Sequence, residues 1–300
     1  MIETTEIRVG RQVFTADTCG PATGETVIFL HGFPNSRHSW RKVLPAVGGA
    51  GYLAVAPDQR GYSAGARPRS IDAYHVDLIV EDVIGIADAL EAPRFHLVGH
   101  DWGGQIAWLT AIAHPRRLRS LTVLSRPHPA AFARAFKADP DQASRSRHHK
   151  AFQDKDMADR LLEGGGRALM NTLVYENASG LFGQEEKDGP PPKRRMSDDH
   201  ARAHLSVLGN RPALDAALNW YRAAFSGGST LAREDTPPAR VPTLYIWGSE
   251  DMSVGRMAAE ATAGFVEAPY RFIDIHGAGH FLAEEAPDQV AAALLPHIGG

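Results

Sequence analysis

Three hundred residues with 43% hydrophobic and 22% charged side chains are ample for one large globular domain, or for a core carrying an insertion. A net charge of about -3 gives no electrostatic case for nucleic acid or an anionic membrane as partner, and the single Cys19 excludes an internal disulfide. No His/Cys grouping has zinc-ligand spacing, no apolar run approaches a membrane span, and Met1-Ile2-Glu3-Thr4 does not read as a signal peptide, so the expected compartment is the cytoplasm.

In chain order, Glu6 to Thr18 reads as an antiparallel hairpin with Gly10 near its turn. Val27-Ile28-Phe29-Leu30 is a β-rich run ending at His31-Gly32, and Leu53-Ala54-Val55-Ala56 is another, stopped by Pro57. Leu78, Val83, Ile86 and Leu90 mark a helix over Asp72 to Leu90, with Pro93 just beyond. Phe95-His96-Leu97-Val98 is a third strand, Ile106 to Ala113 a helix stopped by Pro115, and Leu121-Thr122-Val123-Leu124 a fourth strand. Such unbroken apolar strands suit burial on both faces, and their alternation with helices predicts an α/β fold around a mostly parallel sheet.

The composition changes after Arg126-Pro127-His128-Pro129. From there to about Thr236 the chain is polar, rich in Arg, Ala, Asp and His, and reads as helices and loops, with Gly189 to Arg195 as a solvated loop. Beyond Pro237-Pro238 strands resume at Thr243 to Trp247 and Tyr270 to Ile275, and a terminal helix follows Pro287. The expected division is a core of residues 1–126 and 237–300 with a helical insertion, 127–236.

Gly99-His100-Asp101-Trp102-Gly103 has the spacing of a nucleophile elbow, a tight turn between strand and helix, with aspartate in the nucleophile position. The residue type is informative. A serine that attacks a saturated carbon forms an ether that water does not readily cleave, whereas an aspartate forms an ester that water can hydrolyse, and a carboxylate needs no base to activate it. Asp101 therefore points to displacement at saturated carbon, by opening an epoxide or expelling a halide. Hydrolysis of the ester requires a base oriented by an acid. Gly277-Ala278-Gly279-His280-Phe281 offers His280, expected on an exposed loop, with His276 as a rival. Trp247-Gly248-Ser249-Glu250-Asp251 offers Asp251, with Glu250 as a weaker neighbour. In His31-Gly32-Phe33-Pro34 the backbone N–H of Phe33 is placed to join that of Trp102 in an oxyanion hole.

These motifs, with Asp58-Gln59-Arg60-Gly61-Tyr62, resemble the epoxide hydrolase branch of the α/β-hydrolase superfamily across the whole core. The resemblance implies an α/β-hydrolase fold, an epoxide substrate and water as partners, no metal or other cofactor, and a helical cap over residues 127–236 that protonates the epoxide oxygen. Ala217-Leu218-Asn219-Trp220-Tyr221-Arg222 is similar to the family's second cap-tyrosine motif, which makes Tyr221 a proton donor. The first cap tyrosine is replaced. Ahead of Phe152-Gln153 the matching position holds His148, or His149 one register away, and Tyr175 is a third candidate. A histidine donor implies ring opening that is sensitive to pH near neutrality. His149, Trp220 and Phe281 are expected to line the substrate cleft, and a homodimer is left open.

Two other readings share these residues. Haloalkane dehalogenases use the same elbow with the adjacent Trp, here Trp102, as halide donor, but their usual Asn falls where this chain has Phe33, and Asn35 lies two residues further on. Fluoroacetate dehalogenases carry arginines where this chain has Trp102 and Gln105. A ligand-binding member without activity is expected to have lost the nucleophile or the base, and here Asp101, Asp251 and His280 are all present.

Overall fold

The computed structural model describes residues 1–175, 193–225 and 233–300. The strands β1 (Glu3–Val9), β2 (Gln12–Cys19), β3 (Thr26–Leu30), β4 (Leu53–Pro57), β5 (Phe95–His100), β6 (Leu118–Leu124), β7 (Thr243–Gly248) and β8 (Tyr270–Ile275) form one sheet in the order β1-β2-β4-β3-β5-β6-β7-β8. β1 and β2 are the expected hairpin, and β2 meets β4 antiparallel, while every pairing from β4 to β8 is parallel. β3, β5 and β7 are buried along their whole length. Alternate residues of β3 feed opposite layers: Ile28 and Leu30 join one apolar core, Val27 and Phe29 the other. The first layer takes up α2 (Val76–Ala89) and α3 (Trp102–Ala113), and the second α1 (Leu44–Gly49) and α12 (Pro287–Ile298).

Helix α3 starts at Trp102, earlier than the Ile106 suggested by the apolar spacing. Gly103 and Gly104 are poor helix formers, but a Cβ on Gly103 would collide with the Leu30 carbonyl, so packing against β3 overrides propensity. Helix α2 begins at Val76, because Ile71–Tyr74 form a separate 3-10 turn ending at His75, whose backbone is extended (ψ 137°).

Between β6 and β7, the described residues form α4 (Pro129–Ala138), α5 (Pro140–Arg145), α6 (His148–Ala151), α7 (Met157–Val174), α8 (Asp198–Leu208) and α9 (Arg211–Phe225). The chain in α7 leaves helical geometry at Glu163, and Gly164, Gly165 and Gly166 follow with positive φ. Of the loop expected at Gly189 to Arg195, only Lys193 to Arg195 are described, with a bridge from Arg194 to Tyr175. No helix among the described residues is long and apolar enough to cross a membrane. The remaining helices are α10 (Arg256–Ala261) and α11 (Leu282–Glu285), which follows the loop after β8.

Candidate active site

Strand β5 delivers the chain to Asp101, which turns it into α3 with φ 51° and ψ -117°, a conformation that non-glycine residues rarely adopt. The turn holds the carboxylate against the loop after β3, where Asp101 Oδ1 accepts the Phe33 backbone N–H at 2.9 Å. That approach requires glycine at position 32, since a Cβ there would run into the Asp101 side chain. Oδ2 lies 3.7 Å from His280 Nε2. Burial raises the Asp101 pKa, but His280, His100 and the Phe33 N–H outweigh it and hold the carboxyl well below the usual range.

His280 follows β8 on the Gly277–Phe281 loop. It is buried, not exposed as expected, because the elbow, His100 and Phe281 surround it. Its Nδ1 meets both Asp251 oxygens, at 2.9 and 3.0 Å. Asp251 is fixed in turn by the backbone N–H groups of Ser253 (2.7 Å) and Val254 (2.9 Å). Glu250 and His276 are both exposed, and it is Asp251 and His280 that the fold brings within hydrogen-bond reach of each other. Desolvation works against charge on His280, but Asp251 and Asp101 prevail and raise it to about 10. His100, which burial lowers to about 4, donates from Nε2 to the His280 carbonyl at 2.8 Å.

Opposite the carboxylate, α9 presents Tyr221, whose ring meets Phe33, Trp102 and Phe152 edge-on at 5.6, 5.0 and 4.9 Å. Burial and the nearby Asp101 charge push its phenol well above its usual pKa, while a hydrogen bond with Trp102 works the other way. The neighbouring Trp220 points to the core, its indole N–H donating to the Arg60 carbonyl at 2.8 Å. Phe33, Pro34, Asp101, His148, Phe152, Thr172, Tyr221, Met252, Ser253, His280 and Phe281 line a cavity of about 20 Å³, room for about one water. Of the residues expected to line the cleft, Phe281 does so, whereas His149 and Trp220 stand outside this lining. Phe152, Thr172, Met252 and Ser253 line it as well; Phe152 had a sequence signal in the Phe152-Gln153 pair, Met252 and Ser253 in their position next to Asp251, and Thr172 had none.

His148, not His149, reaches the cavity. Its Nδ1 donates to the Arg145 carbonyl at 3.0 Å, so the neutral ring presents Nε2 as an acceptor. Desolvation lowers its pKa to about 4. Tyr175 pairs with Arg194 away from this lining, and Asn35 donates to Ser39 Oγ at 2.7 Å.

Away from the elbow, His200 and His204 on α8 come together with Glu284 on α11, the residues among those described that could hold a metal. Their hydrogen bonds favour a proton instead. His204 Nδ1 accepts the Ser36 N–H at 3.0 Å, so its Nε2 carries the hydrogen facing Glu284, whereas a metal there would need that nitrogen bare. His200 donates from Nε2 to the His38 carbonyl, which leaves Nδ1 3.3 Å from Glu284 Oε2 with one proton to share. Burial pushes Glu284 up to about 7.

A family profile for the alpha/beta hydrolase fold matches residues 25–287. Epoxide hydrolase A of Mycobacterium tuberculosis is 32% identical, over 94% of this chain and 92% of its own length. Epoxide hydrolase 4 of Mus musculus is 30% identical over 88% and 70%, respectively. A solved epoxide hydrolase from hot-environment metagenomes superposes with a TM-score of 0.80 at 28% identity, covering 100% of this chain and 99% of that one. With the elbow, the buried His280 and the eight-stranded sheet, these likenesses show that the chain belongs to the α/β-hydrolase family, in its epoxide hydrolase branch.

Proposed function

We propose that this chain hydrolyses epoxides to vicinal diols through an ester on Asp101, with residues 127–236 acting as a cap over the core. The observation that carries the reading is the unequal setting of the two Asp101 oxygens: Oδ1 is held by the Phe33 N–H and Oδ2 lies 3.7 Å from His280 Nε2, at a cavity that Asp101, His280 and Tyr221 line together. Oδ2 is the attacking atom. It forms a bond to a ring carbon, the carbon–oxygen bond of the epoxide breaks, and the departing oxygen takes the Tyr221 proton. A phenol this far above its usual pKa is fully protonated at neutral pH and so is ready to donate.

Alkylation neutralises Asp101, one of the two carboxylates that hold His280 at about 10. The ring then yields its proton, which returns through solvent to the Tyr221 phenolate, and, oriented by Asp251, removes one from water as that water attacks the ester carbon. Charge builds on Oδ1, already at the Phe33 N–H, with the Trp102 N–H at the head of α3 as the second donor. Collapse releases the diol and regenerates the carboxylate. The names of the relatives support epoxides as the substrate class.

The test is His280→Gln mixed with a panel of small epoxides and followed by intact-protein mass spectrometry. Expected is an adduct of substrate mass on Asp101 that persists for many wild-type turnovers. Halide release from haloalkanes with no diol from any epoxide would overturn the substrate class.

A further inference from the structure

Glu285 closes α11 with its carboxylate buried under the His280 loop. Oε2 accepts the Gly279 N–H at 2.5 Å and Oε1 the Phe281 N–H at 3.3 Å, so one side chain grips the residues on both sides of His280. Arg195 supplies the countercharge, with Nε 2.7 Å from Glu285 Oε1 and both side chains almost fully buried. Its guanidinium also lies 4.0 Å over the Phe281 ring and donates from Nη1 to the Thr172 carbonyl at 2.6 Å. Phe281 and Thr172 both line the cavity. Arg195 belongs to the inserted segment and Glu285 to the core, so the contact joins the end of α7 to the loop that carries the base.

We propose that Arg195 and Glu285 are positioning residues for His280, holding the base loop in register for ester hydrolysis; this rests on the two-step reading above. Neither residue is among those that line the cavity. Their effect is on where His280 Nε2 stands relative to the ester carbon, a placement to which rates are steeply sensitive. Nucleophilic attack by Asp101 requires no proton transfer to His280 whereas ester hydrolysis does, so the two chemical steps respond unequally.

Removing one member leaves a buried charge without its partner and threatens folding, so the informative variant replaces both, Arg195→Met with Glu285→Gln, checked for native circular dichroism. Single-turnover kinetics with styrene oxide separates alkylation from ester hydrolysis. Expected is hydrolysis slowed by about 100-fold with alkylation within about 2-fold of wild type. In the same variant the low-field proton resonance of the His280 Nδ1–H to Asp251 bond shifts or broadens. Hydrolysis at the wild-type rate, or both steps slowed by one common factor, overturns the proposal, as does an unmoved resonance. If the wild-type chain and His280→Gln form no ester with any epoxide, the functional reading has failed, and the resonance, which needs no substrate, decides the positioning role.

Discussion

At the scale of single residues, the setting of His148 argues against the role expected for it. Read as a cap donor, it implied ring opening that responds to pH near neutrality. Its Nδ1–H is committed to the Arg145 carbonyl, and desolvation lowers its pKa to about 4, so at pH 7 its neutral ring has no second N–H to give. The rate of alkylation is therefore expected to show no inflection from His148 between about pH 5.5 and 8, leaving Tyr221 as the donor. An inflection near 6.5 that disappears in His148→Phe, measured by stopped-flow single turnover, would contradict this. Asp101, Asp251 and His280 were legible because each stands in a glycine-marked turn directly after a strand, where local sequence dictates presentation. The tautomer of His148 was not legible, since it depends on a carbonyl three residues back in a turn that no motif marks. Nor was the burial of His280, which depends on His100 and Phe281 closing around it.

At the scale of elements, the parallel strands announced themselves as unbroken apolar runs, whereas their order in the sheet is set by long-range pairing that no run marks. The start of α3 was misread because two glycines in its first turn hide the helix from any spacing rule. What fastens α2 to the loop after β4 was also hidden. Arg60 on that loop grips Asp82 with two bonds of 2.6 Å and reaches the Ala73 and Leu78 carbonyls as well. Both side chains are nearly buried, and desolvation raises the Asp82 pKa despite the arginine. Asp82→Ala is expected to cost about 3–5 kcal/mol in urea unfolding, because it strands the guanidinium, whereas Asp82→Ala with Arg60→Met costs distinctly less. Equal losses for the single and the double variant would show that the ion pair matters only as packing.

For the molecule as a whole, the inward-facing histidines set the acid limit. His31, His100, His128 and His148 are each lowered to about 4, first of all by burial. A histidine with a depressed folded pKa binds its proton more readily when unfolded, so stability is lost as pH falls from about 6.5 towards 4. His280, raised to about 10, has the opposite sign: its contribution is intact below about 6.5 and is lost progressively as pH rises from there through 10. Thermal melts are thus expected to show Tm falling steadily from pH 6.5 to 4.5. A flat Tm across that window would mean that these rings are solvated in the folded chain.

The bond from the Trp220 indole to the Arg60 carbonyl has a consequence for exchange between relatives. Tyr221 takes its position from its neighbour's anchor on the core, so the donor proposed above is tied to the core although it is encoded between β6 and β7. A transplanted insertion seats its tyrosine only where the recipient's loop after β4 offers that carbonyl at the same depth. Helices α5 and α8 carry core anchors of their own, Gln142 at the Gly255 N–H and His204 at the Ser36 N–H, so divergence that reshapes the cavity is expected at side chains outside these contacts.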